Sequence, residues 1–175
     1  MSEQPADPGA GLLALYDTAL PQVYGYLLSR CGQRSLAEEL TAETFLAAVD
    51  AVRREPPTAV SAGWLVGVAR HKLADHWRRQ AREDRQLRSV AESPGPPGPD
   101  SEDLWVDAVT AHEVLARLGP HHRMVLTLRY LDGLPVPEVA RLLDRTLHAT
   151  EALLVRARAA FRRAYDEPGK EADGD

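Results

Sequence analysis

The amino-acid sequence predicts an all-α protein: two small helical domains joined by a flexible Pro/Gly-rich linker, the second containing a helix-turn-helix. Three observations predict it. Apolar residues recur every three or four positions along most of the chain, and no stretch alternates as a strand would. Residues 89–103 read SVAESPGPPGPDSED, with four prolines, two glycines and no core of their own. Near the C-terminus a short apolar-faced segment, a tight break and a longer basic helix follow in helix-turn-helix order.

Each element has its own signal. Leu12, Leu13, Tyr16, Leu20, Val23, Tyr24, Leu27, Leu28 and Cys31 form the stripe of a first helix, which Pro21 is expected to kink or divide. A second helix starts at Ser35, with Glu38 completing a capping box, and runs through Leu40, Phe45, Leu46 and Val49 to about Arg54, where Pro56-Pro57 stop it. A third, long helix starts near Ser61, turns Trp64, Leu65, Val68, Ala69, Leu73 and Trp77 inward, and is almost wholly charged from Arg78 to Arg88. Beyond the linker, a helix from about Ser101 to Leu118 stops at Gly119-Pro120. The next holds Met124, Val125, Leu128 and Tyr130 and stops at Asp132-Gly133. Pro137–Leu143 is a short helix, Asp144–Thr146 the break, and Leu147 to about Tyr165 the last helix, with Thr146 as its N-cap. The expected domains are therefore residues 10–88 and 104–166, with linker 89–103 and a disordered tail 167–175. Extended, the 15-residue linker reaches roughly 50 Å.

Composition narrows the function. The chain has 175 residues, 44% hydrophobic and 27% charged, which is globular composition. No apolar run approaches a membrane span, and the polar N-terminus lacks the features of a secretory signal, so a cytoplasmic location is expected. The single cysteine, Cys31, excludes an intramolecular disulfide and a cysteine-based metal site. There are 19 Arg against two Lys, and neither Asn nor Ile, a usage that fits a GC-rich genome. The net charge of −5 conceals a pattern: residues 70–88 and 141–165 each carry +4, and residues 89–113 between them carry −6. Two basic blocks suit polyanion-binding surfaces, or the solvated faces of two helices. No Gly-rich phosphate loop, metal-ligand cluster or nucleophile motif is present, so no catalytic residue, cofactor, metal or small-molecule substrate is assigned. His71 and His76 are five apart, off the i,i+4 spacing for chelation on a helix.

AEELTAETFLAA (37–48) and WLVGVARHKLADHWRR (64–79) together resemble region 2 of bacterial sigma factors. LPVPEVARLLDRTLHATEALLVRARAAFRR (134–163) resembles their region 4. Order, size and the short Pro-rich linker are similar to the extracytoplasmic-function (ECF) group of the sigma-70 family, and the resemblance spans residues 10–166. It implies a promoter-specificity subunit that binds core RNA polymerase and recognises the −10 and −35 elements of promoter DNA, with an anti-sigma factor as a further partner. Docking on polymerase would fall to Glu38, Glu39, Glu43 and Asp50, acids on the second helix; Glu39 and Glu43 share one face, where like charges cost a few tenths of a kcal/mol unless a cation meets them.

Reading a melted −10 strand needs cations for its backbone and a pocket or platform for an unpaired base. The resemblance places this at Arg53, Arg54, Arg70, His71, Lys72, His76, Arg78, Arg79 and Arg82, with His71 where the family commonly has Asn. Trp64 and Trp77 could stack on bases, although their helical spacing favours the core. For the −35 element the candidates are Arg129, Arg145, Thr146, His148, Ala149, Glu151, Ala152, Arg156 and Arg158, and positions 146–153 are expected to face bases. Arg156, Arg158, Arg162, Arg163 and Arg129 suit phosphate contacts, which position without specifying. The family's usual Lys and Arg at the start of this helix are replaced by Glu151 and Leu153, which implies an unusual or weak −35 contact; Leu153 can touch a base only apolarly or pack inside. Asp144 stands where the turn usually has Gly, and Asp tolerates left-handed backbone. The acidic linker suits either a basic polymerase channel or a plain tether. A stand-alone dimeric helix-turn-helix regulator is the competing reading.

Overall fold

The computed structural model describes residues 8–54, 58–87 and 108–167. Among them all regular structure is helical: α1 (Pro8–Cys31), α2 (Arg34–Arg53), α3 (Ala62–Leu87), α4 (Ala108–Arg117), α5 (Pro120–Leu126), α6 (Val136–Leu142) and α7 (Leu147–Asp166), with a π-helical turn Thr127–Leu131 continuing α5. The chain forms two compact units, residues 1–73 and 74–175, and the division falls inside α3.

In the first unit α1 and α2 form a hairpin. Gly32 ends α1 in the left-handed region (φ +67°), and its N–H donates to Leu28 O at 2.9 Å, the arrangement that satisfies a terminal carbonyl and that glycine adopts without a Cβ penalty. α1 buries Ala19, Val23, Leu27 and Cys31, each four residues after the last. Against it α2 buries Leu36, Ala37, Leu40, Thr44, Phe45, Ala48 and Ala51. The buried hydroxyls of Thr41 and Thr44 donate to Ala37 O (2.6 Å) and Leu40 O (2.7 Å), so neither is left unsatisfied in the core.

Several expectations are corrected here. α1 runs unbroken through Pro21, which stands on its exposed side. The capping box does not form: Gly32 turns the chain so tightly that Gln33 becomes the N-cap, without a side-chain bond, and Ser35 lies inside the helix. Leu13 is 75% exposed and Leu46 64%, so neither belongs to the core. Tyr16 is 42% exposed, at the edge of the core, its ring edge-on to Phe45 with centroids 4.9 Å apart.

The start of α3 follows expectation. Ser61 Oγ accepts from Trp64 N–H at 3.1 Å, a side-chain cap on the third helical amide. Its inward stripe, Leu65, Ala69, Leu73, Trp77 and Ala81, steps by four throughout. Trp77 is 1% exposed and therefore core; Trp64 is half-buried.

The second unit wraps α4, α5 and α6 around α7. Met124, Val125, Leu128, Val139, Leu143, Leu153, Leu154 and Ala157 form its centre. Arg123 closes the end of α4: its Nε donates to Leu115 O (2.9 Å) and its guanidinium also reaches Ala116 O. Tyr130, grouped with Met124, Val125 and Leu128 in the sequence, is 55% exposed: it lies two positions beyond the buried Leu128, on the opposite face of the helix. Gly133 (φ +67°) ends that segment, and Leu134 N–H returns to Leu128 O at 3.1 Å. Residues 101–107, where α4 was expected to begin, the whole linker 89–103 and all of the tail after Glu167 lie outside the described residues.

Candidate polymerase and nucleic-acid interfaces

On α2 the outward positions Glu39, Glu43, Leu46 and Asp50 are spaced by four, three and four, so they form one stripe. Glu38, beside them, is also exposed. Leu46 stands in the middle of these acids, where sequence reading had placed it among the apolar residues of the helix; its spacing from Glu39 and Glu43 was the available signal. A large exposed aliphatic group flanked along its helix face by carboxylates is suited to a basic partner surface that also carries an apolar contact.

Two predicted sites meet at one ion pair. Lys72 Nζ, assigned to DNA, lies 3.2 Å from Glu43 Oε2, assigned to polymerase. Both side chains are about one-third exposed, so the pair adds at most about 1 kcal/mol and can exchange partners. Of the other −10 candidates, Arg53, Arg54, His71, Arg79 and Arg82 are exposed, and Arg70, His76 and Arg78 are half-buried. Arg78 bonds Asp75 one turn back, and its buried Nε has no partner.

The helix-turn-helix is α6, the turn 143–146 and α7. Asp144 sits at φ +52°, the left-handed residue that reverses the chain, and Arg145 N–H donates to Ala140 O at 2.9 Å. Thr146 is the N-cap, as expected: its Oγ1 accepts from Ala149 N–H at 3.2 Å, and its carbonyl accepts from the Thr150 hydroxyl at 2.9 Å. The expectation that all of 146–153 faces bases is narrowed. Thr150 and Leu153 are buried, which leaves Thr146, Leu147, His148, Glu151 and Ala152 exposed, with Ala149 half-buried and Arg156 exposed one turn on. Leu153 packs inside. Leu147, 47% exposed, stands on the outer face, within the span expected to face bases. Arg129 Nη1 donates to Leu134 O (3.0 Å) and Arg158 Nη1 to Tyr130 Oη (3.3 Å), so both guanidinium groups also hold local structure.

A neutral imidazole stands beside this cationic ground. His121 has its pKa lowered to about 4, first by burial, then by Arg145, Arg85 and His122, with Asp84 opposing. Its Nδ1 is buried without a hydrogen-bond partner. Arg145 is itself held below its ordinary value by burial and by Arg85 and Arg156. Among the described residues no group of three or more His, Cys, Asp or Glu could hold a metal ion, and no helix is long and apolar enough to cross a membrane.

A helical unit with an acidic outer stripe, followed by a second unit built around a helix-turn-helix, is the architecture of a DNA-binding protein with a separate helical domain. Comparison with known proteins names the family. The Sigma-70 region 2 family matches residues 15–83, and Sigma-70, region 4 matches residues 109–161. The ECF RNA polymerase sigma factor SigL of Mycobacterium tuberculosis is 30% identical over 167 residues, 94% of either chain. The ECF RNA polymerase sigma factor BldN of Streptomyces coelicolor is 33% identical over 154 residues; the match takes in 82% of this chain but only 56% of the longer relative. The sigma factor RpoE of Bartonella quintana, solved in complex with the anti-sigma factor NepR, shares the fold at a TM-score of 0.52 and 17% identity, over 91% of this chain and 99% of that one. The chain belongs to the sigma-70 family of RNA polymerase sigma factors, in the ECF group.

Proposed function

We propose that this protein, without catalysis of its own, docks on core RNA polymerase through the α2 face, with Leu46 as the apolar contact among Glu38, Glu39, Glu43 and Asp50. The exposed cations of α3 and of the α2 C-terminus (Arg53, Arg54, Arg79, Arg82), with Arg70, His71, Lys72, His76 and Arg78, hold the melted −10 strand. The outer face of α7 reads the −35 duplex, and Arg156 and Arg158 meet phosphates. The functional division follows residues 10–88 and 104–166, in step with the two family matches, with 89–103 as the tether. It works in the cytoplasm and is held in check by an anti-sigma factor, a reading supported by the Bartonella relative, which was solved with one.

The observation that carries this reading is the exposed Leu46 within the α2 carboxylates, on a chain that also holds both DNA-reading regions. Co-elution of the purified protein with core RNA polymerase tests it. Stoichiometric co-elution is expected for the parent, and its loss for Leu46→Arg and Asp50→Lys. Glu43→Lys is a weaker control, because it also breaks the Lys72 pair. Absence of co-elution, with dimeric DNA binding by the free protein, would establish the stand-alone regulator instead.

A further inference from the structure

We infer that Glu151 is a base-reading residue, accepting from the exocyclic amino group of a cytosine in the major groove, so that a carboxylate specifies one position of the upstream promoter element. The inference rests on the promoter-reading function proposed above and asks which bases α7 accepts.

The geometry of α7 leaves few side chains free for reading. Thr150, Leu153, Leu154 and Ala157 are buried, and Thr146 Oγ1 is engaged in capping. The outward positions of the first two turns are Leu147, His148, Glu151 and Ala152, and no Lys or Arg occurs between Arg145 and Arg156. Arg145 is drawn partly inward. The guanidinium-to-guanine contact, the commonest specific one in a major groove, therefore has no residue to make it from these turns.

Glu151 has no evident structural task. With Thr146 as N-cap it is the fifth helical residue, beyond the first turn where a carboxylate gains from the helix dipole. Its neighbours three and four positions away are Leu147, His148, Leu154 and Val155, so no lysine or arginine pairs with it along the helix. Carried into a groove lined by phosphates, an unpaired carboxylate is repelled unless it meets a donor. Two bases offer an amino donor on the major-groove edge. Adenine sets its N7 acceptor beside that amino group, where it opposes a carboxylate, whereas cytosine offers the amino group without N7. Leu147 and Ala152 beside it suit the methyl group of thymine.

The test is selection from a duplex library randomised across both promoter elements, by polymerase reconstituted with the parent, Glu151→Gln or Glu151→Lys. Glu151 is exposed, and co-elution of each variant with core polymerase checks that it is folded. The parent is expected to enrich a cytosine at one fixed upstream position, with about tenfold weaker binding when that base is changed. Glu151→Lys should move that position to guanine and Glu151→Gln to adenine, leaving the downstream element unchanged. Three identical upstream motifs, or a parent motif without that cytosine, would overturn the inference while leaving the promoter-reading function in place. A library from which the reconstituted polymerase enriches nothing beyond core alone would remove that function, and the role of Glu151 with it.

Discussion

At the scale of single residues the helix-turn-helix depends on two backbone-setting side chains. Thr146→Ala removes the cap on α7 and should lower stability by about 1 kcal/mol, read as a shift in the thermal unfolding midpoint. Asp144 occupies left-handed backbone, so Asp144→Val should cost about 1–2 kcal/mol where Asp144→Gly is nearly neutral. His121 gives a pH signature with a definite sign. The folded protein keeps this imidazole neutral down to about 4, whereas the unfolded chain takes up its proton near 6.5. The unfolded state therefore binds more protons between those values, and stability falls as the pH is lowered through that window. Above 6.5 the residue adds no pH dependence. Melting curves at neutral and mildly acidic pH should show a smaller acid loss in His121→Gln than in the parent. Thr146 was legible in the sequence because a cap follows from side-chain chemistry, and Asp144 because the family resemblance puts it where the turn usually has Gly. His121 was not, since its environment is assembled from Arg85, Arg145 and its neighbour His122.

At the scale of elements the long helices were legible and their ends less so. The period of apolar residues in α3 continues to Ala81, past the point where composition turns charged, and places Trp77 in the core. Trp77→Ala should destabilise by about 3–5 kcal/mol, measurable by chemical denaturation. The capping box at Ser35 failed because the local pattern was overruled by the left-handed glycine two residues before the helix start. Tyr130 was grouped with Met124, Val125 and Leu128 by residue type, although a position two beyond Leu128 faces the other side of a helix. Leu46 was listed with the apolar residues of its helix and given no role, although its spacing from Glu39 and Glu43 puts it outward.

At the scale of the whole molecule, family membership was readable from three stretches in a fixed order; the region 2 match takes in 37–48 and 64–79, and the region 4 match takes in 134–161 of the third. The compact units were not. Their division inside α3 reflects where contacts concentrate, which no composition change marks. The alternation of charge along the chain predicts that promoter binding by the assembled polymerase weakens steeply with salt. Replacing Arg79 and Arg82 with Ala should reduce that salt slope by about 1 to 2, measured by titration at several ionic strengths. In α7, one side of the helix holds the unit together and the opposite side, which we propose faces DNA, is exposed. Its outer positions can therefore drift or be exchanged almost without effect on folding, so a new target site lies a few substitutions away, and closely similar folds can serve different sets of genes.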